Sequence, residues 1–95
     1  MEYTIDLKNV KSLWTLHEAI KNGLMLPDYY GMNMDALWDC LTGDIEIPST
    51  IYIKSFNCLP KELHEKGEIL MRLLYEAKEW YDDMDIKLEI IELDS

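Results

Sequence analysis

Thr50-Ile51-Tyr52-Ile53-Lys54 is the stretch on which the fold turns. Its β-branched and aromatic residues suit a pleated, half-buried surface, so it reads as a strand. Two other strand signals flank it at a distance. Upstream, Tyr3-Thr4-Ile5-Asp6-Leu7 alternates apolar and polar with period two. Downstream, from Asp85 to Leu93, Ile86, Leu88 and Ile90 alternate with Lys87 and Glu89. Helical patterns fill both gaps. The order is therefore strand, helices, strand, helices, strand. Connections of that length, with helices inside them, imply parallel pairing and right-handed crossovers. The expected fold is α/β, a three-stranded parallel sheet packed with about four helices. No repeat, low-complexity tract or linker divides the chain, so a single domain over 1–95 is expected.

The helices have their own signals. Ser12 can cap a helix that runs to about Asn22, with Leu13, Leu16, Ala19 and Ile20 on one apolar stripe and Gly23 at the C′ position. Pro27 and Gly31 bracket a loop that holds Asp28, Tyr29 and Tyr30. Asn33 caps a short second helix ending near Leu41, with Gly43 as its stop. Pro60 starts a helical turn broken at Gly67. A longer helix follows from Glu68 to Trp80 or Tyr81, with Leu70, Leu73, Leu74, Ala77 and Tyr81 inward and Arg72, Glu76 and Glu79 outward.

Composition narrows the function. The 95 residues carry a formal charge of −10, and 48% are hydrophobic. The sequence pI is about 4.4. So acidic a chain argues against nucleic acid or an anionic membrane as partner and favours fast encounter with something basic. The N-terminus lacks a basic start followed by an apolar stretch, and no apolar run approaches the roughly 20 residues of a membrane span. Cytoplasmic residence and a monomeric free state are expected. No CxxC or HxxxH pair occurs, so neither metal nor cofactor is expected. His17 and His64 read as helix-surface residues. Cys40 and Cys58 read as reduced thiols.

The charge is concentrated. From Asn22 to Ile53 there is no lysine or arginine, yet Asp28, Asp35, Asp39, Asp44 and Glu46 all fall there. Asp35 and Asp39 are four apart on the second helix and therefore neighbours, which costs roughly 0.2–0.5 kcal/mol. Asp35 recovers some of that from the helix dipole; Asp39 lies too far along. Met34, Leu37 and Leu41 form the opposite, core-facing stripe. Folding alone does not ask for Asp39, nor for Trp38 beside it. Tyrosine and tryptophan next to paired carboxylates make a protein-binding hot spot. Such a pair can also be an enzyme's acid and base, but one short helix without a pocket, metal or phosphate loop is a poor catalytic frame.

The segment Leu26-Pro27-Asp28-Tyr29-Tyr30-Gly31, then Asn33 and Asp35-Ala36-Leu37-Trp38-Asp39-Cys40-Leu41-Thr42-Gly43, resembles the barstar family, intracellular inhibitors of the ribonuclease barnase. The resemblance continues through Glu46, Pro48 and Glu76-Ala77-Lys78. It implies a barstar-like fold and a non-enzymatic function: an inhibitor of a microbial guanyl-type ribonuclease, bound 1:1, its active site plugged by the acidic helix 33–41 and the preceding loop. Asp39 would be the central anchor at the phosphate site, and Asp35 would pair with a second cation. Tyr29 would stack on the catalytic region. Tyr30, Gly31, Asn33, Ala36, Trp38, Thr42, Gly43 and Glu46 would complete the contact, and Glu76 would add a charge from the last helix. Cys40 matches a family cysteine, whereas Cys58 has no counterpart. Asp44 stands where the family's best-known member has a tryptophan. Glu79-Trp80-Tyr81-Asp82-Asp83 also departs from the family pattern; Trp80 is assigned to the core in preference to the partner surface. The alternative function is an acidic interaction module of the same fold that binds a basic partner other than a nuclease.

Overall fold

Strand β2, Ser49–Lys54, lies between β1, Glu2–Asp6, and β3, Leu88–Glu92, and pairs with both in parallel. This computed structural model describes residues 1–93; positions 94–95 of the expected domain lie outside the described residues. The register sets Ile51 beside Tyr3 and Ile90, and Ile53 beside Ile5. Side chains alternate along a strand, so Tyr3, Ile5, Ile51, Ile53 and Leu88 share one face, and all are buried. The parallel sheet expected from the sequence is therefore present, with β1 and β3 slightly displaced from their expected bounds.

Three α-helices cover the sheet where about four helices were expected: α1, Leu13–Gly23; α2, Met34–Gly43; and α3, His64–Asp82. Two 3-10 turns, Phe56–Cys58 and Lys61–Leu63, make up the rest of the β2–α3 connection. Helix α1 packs on β1, α3 on β3, and α2 against α3. The fourth helix disappears because Gly67 does not break the chain. It is buried inside α3, and a Cβ there would lie 2.6 Å from Leu59 Cδ1 and 3.3 Å from the Phe56 ring. The missing side chain lets the 3-10 segment lie against α3, at the ~1 kcal/mol helix penalty of glycine.

Helix α1 departs from expectation in three places. Ser12 caps it as expected, in a reciprocal capping box with Thr15. Leu13, however, is 44% exposed, and the buried stripe is Leu16, His17 and Ile20. His17 is therefore a core residue, not a surface one. Its Nδ1 shares a 2.7 Å hydrogen bond with the Tyr30 hydroxyl, which satisfies the ring in the interior. Gly23 is the last helical residue and has an ordinary φ; the left-handed residue that turns the chain is Met25, φ 55°. Gly23 serves close packing instead. A Cβ there would collide with the Thr4 carbonyl oxygen and sit 2.9 Å from Ile5 Cα.

Polar contacts tie these layers together. The Tyr81 hydroxyl of α3 donates to the Leu41 carbonyl of α2 at 2.6 Å. The Glu46 N–H donates to the Tyr3 hydroxyl at 2.9 Å, fixing the α2–β2 connection on β1. No helix among the described residues is long and apolar enough to cross a membrane.

Candidate functional site

The site begins with the loop that enters α2. Asn33 is the N-cap: its Oδ1 accepts from the Ala36 N–H at 2.8 Å, while its Nδ2 donates to the Gly31 carbonyl at 2.9 Å. One side chain thus starts the helix and closes the loop. Gly31 allows this approach, because a Cβ there would crowd the Ala36 methyl at 3.2 Å. Tyr30 and Tyr29, adjacent in sequence, have opposite fates. Tyr30 is 4% exposed, with its hydroxyl on His17 and 3.4 Å from the Asn33 carbonyl. It supports the loop from beneath; burial pushes its phenol pKa well above the ordinary range. Tyr29 is 73% exposed and stands outward, its hydroxyl donating to Asp44 Oδ1 at 2.8 Å.

Helix α2 separates two tasks by face. Leu37, Cys40 and Leu41 are buried, whereas Asp35 and Asp39 are exposed. Asp35 lies in the first turn, where the helix dipole favours it. Trp38 and Ala36 are half-buried. Thr42 is half-buried as well, its hydroxyl donating to the Trp38 carbonyl at 2.9 Å. Gly43 ends the helix exposed, with open space where its Cβ would be. Cys40 is held among apolar neighbours and beside Asp44; burial first, then that carboxylate, pushes its thiol up to about 11. Cys40 and Cys58 are both free thiols.

A groove of about 600 Å³ runs between α2 and α3, lined by Met34, Asp35, Trp38, Asp39, Ile69, Leu73 and Glu76. The expected contacts Asp35, Trp38, Asp39 and Glu76 thus meet at one surface although they lie far apart in sequence. No lysine or arginine lines it. Glu46 is exposed on the α2–β2 connection but is not among the groove residues. Sequence reasoning missed the groove's apolar floor. The signal was there: Ile69, Leu73, Glu76 and Trp80 recur at helical spacing of four, three and four. Trp80 itself is 42% exposed, not a core residue. Its ring meets Trp38 edge-on at 6.4 Å and Tyr81 at 5.0 Å. The aromatic pair Trp38–Trp80 extends the α2–α3 seam into solvent.

The family pattern described as Barstar (barnase inhibitor) matches residues 1–91. This chain belongs to the barstar family. A protein of Bacillus subtilis (strain 168) named "Putative ribonuclease inhibitor YrdF" is 38% identical to it over 79 residues, covering 83% of this chain and 87% of that protein. Barstar-family proteins are inhibitors, not enzymes, and their partner is a ribonuclease. A carboxylate presented on a rigid helix is the chemical match for a cationic phosphate-binding site.

Proposed function

We propose that this barstar-family chain is a cytoplasmic inhibitor of a microbial guanyl-type, barnase-like ribonuclease, bound one to one, with α2 and loop 26–33 seated in the enzyme's active site. The observation that carries this reading is the α2–α3 groove. Three carboxylates, Asp35, Asp39 and Glu76, line it, and none of them is ion-paired among the described residues. A ribonuclease active site has to stabilise a phosphate and its developing charge, so it is rich in arginine, lysine and histidine. In this reading Asp39 occupies the phosphate position, and Asp35 and Glu76 accept from neighbouring cations. Tyr29 stacks on the enzyme's catalytic region. Gly31, Asn33, Ala36, Trp38, Thr42, Gly43 and Glu46 border the contact. The wider negative surface speeds encounter.

The test is titration of the protein into a barnase-type ribonuclease while RNA cleavage is followed, repeated with Asp39→Ala. Stoichiometric inhibition that the variant loses supports the reading. Equal inhibition by Asp39→Ala would refute the helix plug. No inhibition by the wild-type chain, together with binding to a basic protein that is not a nuclease, would replace the ribonuclease by another partner.

A further inference from the structure

Asp44 has no folding reason to be where it is. It is the C-cap of α2, in right-handed helical conformation, with its N–H donating to the Cys40 carbonyl at 2.8 Å. The C-terminal end of a helix carries partial negative charge, so a carboxylate there is repelled. No basic residue in the last turn offsets it. The Asp44 carboxylate lies beside the Cys40 thiol and accepts from the Tyr29 hydroxyl at 2.8 Å. That bond joins residues 15 apart: the tip of the entry loop and the end of the helix that the loop leads into. Tyr29 is otherwise held by little, since its ring is 73% exposed. An aromatic anchor on a binding surface contributes most when its rotamer is fixed before the partner arrives.

We propose that Asp44 is a positioning residue that latches the Tyr29 ring in its binding-ready orientation, so that loop and helix present one preformed surface to the partner. The inference rests on the inhibitor reading for the partner but not for the latch, which exists in the free chain. The raised pKa of the Tyr29 phenol, caused first by its hydrogen bond to Asp44, is a signature of the same contact.

The test has two arms. In the free protein, NMR scalar couplings of Tyr29 should report one χ1 rotamer, and Asp44→Asn and Asp44→Ala should both lower the Tyr29 pKa, the alanine variant also averaging the rotamer. An averaged rotamer or an ordinary Tyr29 pKa in the wild-type chain would overturn the latch, whatever the partner is. In the second arm a barnase-type ribonuclease is the probe. Asp44→Ala should speed dissociation by about tenfold. Tyr29→Phe, which keeps the ring and removes the hydroxyl, should do the same. The double variant should lose no more than either single one, because both remove one contact. Additive losses would overturn the latch as the source of affinity. Failure of the wild-type chain to inhibit counts against the ribonuclease reading alone; the latch is still decided by the first arm. Urea midpoints that do not fall in either variant separate positioning from unfolding.

Discussion

Helices α1 and α2 are nearly equal in length, 11 and 10 residues, and obey different rules. Helix α1 follows the rules of local stability: a capping box from Ser12 and Thr15 at its start and Lys21 in its last turn, where the dipole favours a cation. Helix α2 has a good N-cap in Asn33, but then sets Asp35 and Asp39 one turn apart, puts Asp44 at its C-cap and carries no basic residue in its last turn. Both bury an apolar stripe. They differ on the side that packing does not decide. Where a helix gives up stability on its free face, that face serves something other than folding.

That contrast can be broken most sharply at Asp39. Asp39→Ala should weaken ribonuclease binding by about 2–5 kcal/mol, as truncation of a desolvated charged anchor does. The same change should raise folding stability by roughly 0.2–0.5 kcal/mol through relief of repulsion with Asp35. Isothermal titration and urea melts of one variant measure both, and opposite signs are expected. Gly23→Ala at the end of α1 should do the reverse. Its methyl would strike the β1 backbone, so stability should fall by roughly 1–3 kcal/mol, with the affinity of the folded fraction unchanged.

The two N-caps sharpen the contrast further. Ser12→Ala and Asn33→Ala should each cost about 0.5–2 kcal/mol in urea melts. On the proposed function, only Asn33→Ala should also weaken binding, because its Nδ2 holds the Gly31 carbonyl of the loop that enters α2. The smallest effect expected is a pH dependence. Burial, then the Lys66 charge, lowers the His17 pKa below 6.5. Between the folded value and 6.5 the unfolded chain binds more protons than the native one. Stability therefore rises with pH across that window and is lost as pH falls below 6.5, with a slope of at most ~1.4 kcal/mol per pH unit. His17→Asn should remove this part of the slope, read from urea midpoints between pH 7 and 5.

The strands were legible because period-two alternation survives into burial: Tyr3, Ile5, Ile51, Ile53 and Leu88 are all inward. Helix α2 was legible through Asn33 and its apolar stripe, and its two aspartates through the absence of any folding reason for the second. Less legible was whatever depends on a partner distant in the chain. Gly67 looks like a breaker until Leu59 and Phe56 are seen against it. His17 looks solvent-facing until Tyr30 supplies its hydrogen bond from 13 residues away. Tyr29 and Tyr30 are indistinguishable as adjacent letters, yet loop closure buries one and exposes the other. Trp80 reads as a core residue from sequence; its exposed position on the Trp38 seam follows from how α2 and α3 meet.

The division of α2 into an attached side and a free side bears on how such a protein evolves. Leu37, Cys40 and Leu41 fasten the helix, and the Tyr81 hydroxyl pins its Leu41 carbonyl to α3. Asp35 and Asp39 take no part in that fastening. A lineage can therefore exchange the outer residues while the inner ones stay fixed, and selection acts on recognition without renegotiating the fold. Such a scaffold can track a diverging partner one surface substitution at a time.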